Sequence, residues 1–592
     1  MKLGLEIHQR LDSKKLFCEC PSIVNEAAMP DLLIRRRMHS VMSELGEVDV
    51  TAQAEAAKNR TYEYQIFNES ACLIELDEEP PHGMDMYALK IVLAISKHLN
   101  CVPIDEVHVM RKTIIDGSNT SGFQRTSLVS FKGHVDTSKG PVGIDQISIE
   151  EESSGIVSNE ENKATYRLDR LGIPLIEITT APDIVDGAHL LETAEKIGLI
   201  LRATGKVARG LGTIRQDVNI SIEGGARVEV KGAQDLRMLP VLVDTEVKRQ
   251  QSLIRLIAEI KAKCGGKVKL DRLFVDVTTT FTNTNATLIK NGLKAGGKVL
   301  GMRLPNHKGL LGRELQPNKR YGTELSDYAK MAGVKGLIHS DEMLDKYPLS
   351  ENEIASLRKI LDIGENDAFV IVVAPEKQAK MALGLVANRA EMLEVPKETR
   401  KANADGTTNY MRPLAGRARL YPETDVPPIL ITAELLEEAE TFKGESLKNK
   451  KARLVKLLNP EMAEKMLRSR YLSLFEELVS LENEPMLIAN TLENTLVSLR
   501  REGVEFKDVE GSLRSLFAEY RKGLFVKAAI PEILKLVARG SKVEAAVEKG
   551  NLQKLSGAEL NKIAEENGFD IAKIMQKYRL RVEPADIAKM RK

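Results

Sequence analysis

Near its start the chain sets a carboxylate and an imidazole two residues apart, Glu6 and His8 in GLEIHQRL. Strand side chains alternate between faces, so an extended Leu3 to Leu11 puts Glu6, His8 and Arg10 on one face and Leu5 and Ile7 on the other. Such a pair can hold a divalent cation or orient a water; a solvated strand face is the plain alternative. A second set lies in QISIEEESSG. With Ile147 and Ile149 turned inward, Ser148, Glu150 and Glu152 project the other way and Glu151 ends the strand. Crowded carboxylates repel one another, and they suit a magnesium–nucleotide site, where few carboxylates combine with phosphate oxygens and water. An acidic edge strand or turn reads the same.

A hairpin follows: TIRQDVNISIE, a Gly224-Gly225 turn, then ARVEVKG. Period two aligns Arg215, Asp217, Asn219 and Ser221 against Ile214, Val218, Ile220 and Ile222, and the return strand offers Arg227, Glu229 and Lys231. This mixture can bind phosphate and metal together, although exposed hairpins are often polar. In YRLDRLGIPLIEI, Arg167, Asp169 and Arg170 precede a Gly-Ile-Pro turn and an apolar strand ending at Glu177. Charged groups on a turn beside a buried strand suit a rigidly positioned site or a turn cap equally. No Walker loop, dinucleotide fingerprint, kinase set or hydrolase elbow occurs, so any ATP site would have to be of an unusual kind. Cys18 and Cys20 in FCECP look like half of a zinc site, with no second cysteine pair at the usual spacing.

These groups need a large scaffold. At 592 residues the chain exceeds one hydrophobic core. Its first 264 residues mix alternating strands with amphipathic helices such as AHLLETAEKIGLILRAT and VLVDTEVKRQQSLIRLIAEIKAK, which predicts an α+β body. Gly265-Gly266 opens a further strand and helix block that reads as an insertion. Asp405 to Pro428, rich in Gly, Pro and Arg, reads as an ordered loop back to the first body, and beyond Thr432 nearly everything is helical. Lys plus Arg is 86 and Asp plus Glu is 85, so nucleic acid would have to meet local patches. From Ile571 to Lys592 seven basic residues face two acidic ones, a net of +5 that fits a phosphate backbone or an ordinary solvated helix end. With 4% aromatics and no Trp, shape and phosphate contacts suit a folded RNA better than base stacking. Five cysteines are no disulfide framework, and the first apolar run breaks at Glu6 and His8, so a cytoplasmic protein without a membrane partner is expected.

Taken in order, GLEIHQRL, FCECP, YQIFNES, the Glu150 to Glu152 run, DRLGIPLIEITTAPDI, GTIRQDVNIS and EVKRQ closely resemble the B/E family of tRNA-dependent amidotransferase subunits. The inserted block resembles a small domain of bacterial-type aspartyl-tRNA synthetases, which marks the family's archaeal E branch. The resemblance implies a multidomain α+β chain: a cradle over 1–270 and 401–430, the insertion over 271–400, then all-α helical (431–523) and tRNA-binding tail (524–592) domains. It implies that ATP, with Mg²⁺, phosphorylates the γ-carboxyl of the glutamate on Glu-tRNA(Gln), which ammonia then converts to the amide. Carried over by position, Glu6, His8 and Glu150 become metal ligands and, with Glu151, the catalytic set. Asp169, Arg170, Arg215, Asp217 and Lys231 become the groups for nucleotide or the activated aminoacyl end. B subunits show a second CPxC pair, and an Asp-Ala-Gly-Lys ending where this chain has Glu152-Ser153-Ser154-Gly155; the first departure counts against zinc, the second leaves the choice within Glu150 to Glu152 open. No glutaminase signature is present, so the family implies an asparaginase-like glutaminase D subunit as ammonia source. Two other readings compete: a non-catalytic tRNA-binding module, favoured if Glu6, His8 and Glu150 are scattered, and a small-molecule carboxylate–amine ligase, for which the helical third has no use.

Overall fold

A computed structural model of the chain describes residues 1–39, 46, 56, 60–160, 162–210, 212–342, 347–414, 419–481 and 484–590. Two compact units divide at Gly444 and Glu445. A large sheet organises the first unit: β1 (Lys2–Arg10), β2 (Met110–Thr113), β3 (Phe123–Thr137), β4 (Gly140–Glu151), β5 (Pro174–Thr180), β6 (Ile214–Ser221), β7 (Val228–Lys231), β8 (Glu398–Ala402), β9 (Thr408–Pro413) and β10 (Leu420–Pro422). They lie in the order β9-β8-β7-β6-β1-β5-β4-β3-β2-β10, antiparallel except for the β7–β8 join. Val102–Pro103 adds a short strand beside β3.

One face of this sheet is apolar. Leu5 and Ile7 of β1, Ile149 of β4, Ile178 of β5 and Ile220 of β6 are buried in a core shared with the helices α1 (Met86–His98), α2 (Gly187–Ala203) and α3 (Leu239–Lys263). Asp85 and Asp186 start the first two helices by accepting hydrogen bonds from the Tyr87 and His189 backbone N–H groups. Where α2 meets α3 only glycine fits: a Cβ on Gly187 would stand 2.5 Å from the Pro240 Cα. The opposite face carries Glu6, His8, Glu150, Glu177, Asp217 and Lys231, as period two requires.

The segment expected to be a returning loop supplies both edges of the sheet instead. β9 pairs with β8, and β10 pairs with β2 at the far side; residues 415–418 lie outside the described residues. Seven peptide steps separate Pro413 from Leu420, a reach of about 25 Å. A flat sheet of ten strands would be about 43 Å wide at the usual spacing, so this one must curl.

Between β7 and β8 the chain leaves to build a second, antiparallel sheet from Val275–Asp276, Lys298–Leu304, Ala368–Ala374 and Ile338–His339. Helices α4 (Tyr321–Lys330) and α5 (Glu376–Glu391) cover one face of it. The end of α3, with Leu253, Leu256 and Ile260, packs on that same side, so one helix joins both cores. Where the cores meet lies a buried ionic cluster. Arg249 of α3 reaches Glu246 at 2.8 Å and Glu324 of α4 at 3.0 Å. Arg389 of α5 meets Glu324 at 2.8 Å, and Arg400 of β8 contacts Glu398 and Glu324. Tyr328 closes the set with a 2.6 Å hydrogen bond donated to Glu398.

A smaller mixed sheet of Leu32–Arg36, Thr61–Ile66, Lys163–Arg167 and Gly155–Asn159 buries Tyr62, Tyr64 and Tyr166. The second unit, from Glu445, is helical, and its last helices share a small core of Leu555, Leu560, Ile563, Ile574, Val582 and Ile587. Among the described residues no helix is long and apolar enough to cross a membrane. The chain is therefore mixed α+β with more than one hydrophobic core.

Glu324 and the three guanidiniums it faces are buried, and Glu324→Gln leaves those cations under-compensated. The first unit is expected to lose about 3–5 kcal/mol, read as a lower urea midpoint at unchanged slope. A change below about 1 kcal/mol, the range of exposed pairs, would mean that solvent reaches the cluster.

Candidate functional site

The polar face of the large sheet gathers two ligand sets along β1. His8 Nε2 lies 3.5 Å from Glu150 Oε1 and 3.9 Å from Glu177 Oε2. Glu6 sits with Asp217 and Glu229, and within each trio one potential ligand atom per residue falls within 4.8 Å of the others. Strand register makes this possible: His8 is opposite Glu177 on β5, and Glu6 is opposite Asp217 on β6. Cations are interleaved with the acids. Lys112 Nζ is 3.0 Å from Glu150 Oε2, while Lys231 Nζ is 2.5 Å from Asp217 and 2.7 Å from Glu229. Asn219 donates to Glu6 at 2.9 Å.

Of these groups His8, Glu150, Asp217 and Lys231 line one cavity of about 290 Å³, together with Gln124 and Arg215 among others, while Glu6, Glu177, Glu229 and Lys112 stand behind them as their partners. Gln124 belongs to β3 and Lys231 to β7, five strand spacings or about 24 Å apart in a flat sheet. That both line one small cavity makes the polar face the concave one. Removal from water governs the protonation here. Burial, then the nearby Glu150 charge, pushes Glu177 up to about 7. Burial would raise Glu150 as well, but Lys112, joined by His8 when the imidazole is protonated in acid, outweighs it and holds that carboxyl down at about 2. Glu6 is raised by burial and by Glu177 and Glu229, and burial lowers His8, which favours the neutral imidazole a metal needs. Negative charge is thus in excess over the two lysines, and the donors are hard oxygens with one imidazole, a set that fits a divalent cation such as Mg²⁺.

The acidic triplet divides three ways and is wholly buried, not an exposed edge or turn. Glu150 enters the cavity. Strand parity sends Glu151 elsewhere, to the Arg125 backbone N–H at 3.0 Å and the Arg125 guanidinium at 3.3 Å. Glu152, beyond the strand end, is clamped by Arg10, Arg170 and Arg215, with the Arg215 contact at 3.0 Å. Arg170 therefore stands beside the site through Glu152. Asp169 does not reach the cavity: it is buried and bonded to Arg167 at 2.6 Å. Of the residues singled out from sequence, Glu6, His8, Glu150, Arg215, Asp217 and Lys231 converge, while Glu151 and Asp169 face guanidiniums outside.

Sequence reasoning did not name Lys112, and it placed Glu177 and Glu229 on their strands without carrying either into the ligand set. The available signal for Glu177 was a lone acid between Ile176 and Ile178 on an apolar strand. It also missed how FCECP is completed. Cys18, Cys20, Cys72 and Glu75 bring their ligand atoms within 4.8 Å of one another, the last two from CLIE, where one cysteine and one glutamate stand in place of a second cysteine pair. Glu75 accepts from the Cys18 thiol at 2.9 Å and from the Cys72 backbone N–H at 2.7 Å, with buried Lys15 at 3.5 Å. Burial and the Glu75 charge drive the Cys18 thiol well up, and burial takes Cys72 to about 11. Three sulfurs and a carboxylate can hold a tetrahedral zinc ion.

A profile of the GatB/GatE catalytic domain matches residues 1–437. The chain is 45% identical to the Pyrococcus furiosus protein named as the E subunit of glutamyl-tRNA(Gln) amidotransferase, over 96% of this chain and 90% of that one. Proteins of the same name from Methanocaldococcus jannaschii and Pyrobaculum calidifontis are 45% and 40% identical, covering 95% and 99% of this chain and 91% and 97% of theirs.

For the cysteine cluster, elemental analysis of the purified chain is expected to find zinc, lost on Cys72→Ser; equal zinc in both proteins would remove these ligands from consideration.

Proposed function

The chain belongs to the GatB/GatE family, and from that premise we infer that it converts Glu-tRNA(Gln) to Gln-tRNA(Gln) as the ATP-using subunit of a tRNA-dependent amidotransferase. The observation that carries this reading is the convergence of His8, Glu150 and Glu177 with Glu6, Asp217 and Glu229 on one concave, cation-bordered face.

A carboxylate is a poor electrophile. Transfer of the terminal phosphoryl of ATP to the γ-carboxylate oxygen of the tRNA-bound glutamate, with release of ADP, supplies a leaving group. Ammonia then attacks the carbonyl carbon, the C–O bond to phosphate breaks, and a proton leaves the nitrogen to give the amide and inorganic phosphate. Mg²⁺ held by His8, Glu150 and Glu177, or by Glu6 with Asp217 and Glu229 in the neighbouring set, would neutralise charge on the phosphate oxygens. Arg215 and Lys231 border the cavity where the transferring group or the aminoacyl end would lie, and fixed cations there stabilise charge as it develops. Arg170, tied to Arg215 through Glu152, serves to position it. Glu151 and Asp169 take the role of scaffold groups, each anchoring an arginine beside the site.

In this reading residues 1–270 with 401–430 form the cradle, 271–400 the synthetase-like insertion, 431–523 the helical domain and 524–592 the tail that grips tRNA. Ammonia comes from an asparaginase-like glutaminase partner, the D subunit of a heteromeric complex. Six ligating groups on one face would serve no purpose in a non-catalytic tRNA-binding module.

The test supplies the chain with Glu-tRNA(Gln), ATP, Mg²⁺ and ammonium salt and follows ADP and Gln-tRNA(Gln). Product is expected without the partner, because ammonium replaces delivered ammonia. His8→Ala and Glu150→Ala should each slow ADP release by at least about a hundredfold, the scale of losing one transition-state contact, with tRNA affinity little changed. Full turnover in both variants would remove the site assignment. Deleting residues 523–592 should weaken tRNA binding and flatten its salt dependence while leaving the rate at saturating tRNA near that of the full chain; unaltered affinity would exclude the tail as the grip.

A further inference from the structure

The inserted sheet borders a second and larger cavity, of about 930 Å³, that the amidation chemistry does not use. Its strand wall is Val299, Ile371 and Val373. These side chains face the core of Phe281, Leu357 and Phe369, on the side of the inserted sheet away from α3, so the cavity is separate from the one that holds His8 and Glu150. Leu288 and Ile289 continue the apolar lining.

Across from this wall the character is cationic. Arg320, Lys330 and Lys335 line the cavity from exposed positions. Lys330 is paired with Asp327 at 2.9 Å, whereas among the described residues no carboxylate stands within ion-pair reach of Arg320 or Lys335. The loop from Gly333 to Gly336 also lines it, with both glycines at positive φ, 81° and 148°. Among the described residues, the N–H groups of Val334, Lys335 and Gly336 have no backbone acceptor. Successive free amides on a glycine-bounded turn, beside two unpaired cations, make an anion receptor. One acceptor completes the lining. Glu342 takes a 3.3 Å hydrogen bond from the Tyr347 hydroxyl on one oxygen, while its other oxygen, Oε2, is buried and has no donor among the described residues. A buried oxygen left so calls for a donor from whatever fills the cavity.

We propose that this cavity binds a phosphorylated nucleoside, its phosphate on Arg320, Lys335 and the Gly333 to Gly336 amides, its base along Leu288 and Val373, and its exocyclic amine on Glu342. Phosphate alone would leave most of the volume and all of the apolar wall uncovered. A sugar phosphate would have no flat apolar body for that wall and no amine for Glu342. The cavity lies within the size range of small-molecule sites. The same chemistry is offered by a free mononucleotide and by an unpaired nucleotide of an RNA. The proposal does not rest on the reading of the His8 and Glu150 cavity.

Photolabelling of the full chain separates the sources and the cavities. One arm uses 8-azido-AMP, the other a short RNA ending in an unpaired 8-azidoadenosine, and labelled peptides are mapped by mass spectrometry. Label is expected on peptides within 287–299, 320–347 or 371–378, and Arg320→Glu with Lys335→Glu, both at exposed positions, should weaken it by at least about tenfold. AMP should compete better than UMP, which lacks the amine, and Glu342→Gln should narrow that preference. Labelling by AMP assigns the cavity to a free nucleotide; labelling by the RNA alone assigns it to an RNA nucleotide. Label confined to peptides carrying His8, Glu150 or Lys231, or insertion label indifferent to the charge reversals, would overturn the proposal while leaving the amidation reading intact.

Discussion

Everything at the concave face depends on holding five carboxylates where water is scarce. Glu6, Glu150, Glu177, Asp217 and Glu229 stand on neighbouring strands of one sheet, and their mutual repulsion must be met locally. Two lysines do part of this: Lys112 from one side and Lys231 from the other. His8, kept neutral by burial, adds a ligand but no charge. Burial first, and the uncompensated repulsion second, push up the carboxyls of Glu177 and Glu6. A site with that residual deficit of positive charge is prepared for a divalent cation, which is what phosphoryl transfer requires.

Around this centre the fold separates two tasks that one sheet face could not perform together. Helices α1, α2 and α3 seal the apolar side, so the strands are fixed without any polar-face residue having to pack. The chain then returns from the insertion to form β8 and β9 at one edge and β10 at the other, curling the sheet and bringing β3 and β7 to a shared cavity. Arginines complete the frame. Glu152 gathers Arg10, Arg170 and Arg215, fixing three guanidiniums at the rim with one buried carboxylate.

The inserted domain is tied to this frame by charge as much as by apolar contact. Arg249, Arg389 and Arg400 come from α3, α5 and β8, and all converge on Glu324. Such a cluster demands mutual placement, since any partner withdrawn leaves a charge without water. The EVKRQ motif, a family mark in the sequence, contributes Glu246 and Arg249 to it, so its work is structural and lies away from the cavity of His8 and Glu150.

Periodicity was enough to assign the facing of Glu6, His8, Arg215, Asp217 and Lys231, because side-chain alternation on a strand is a local property. Helices α2 and α3 were legible for the same reason, and the order of motifs pointed to the family. What period two could not supply was register and closure. Whether Glu177 stands beside His8 depends on how β5 slides against β1, and whether Glu150 reaches the same place depends on how β4 slides against β5, which no single strand records. The Cys72 and Glu75 partners of FCECP, the edge strands after Asp405, and the diversion of Glu151 and Asp169 to Arg125 and Arg167 were decided by contacts that no local pattern encodes. Local sequence sets which way a side chain points; only the assembled sheet sets what it points at.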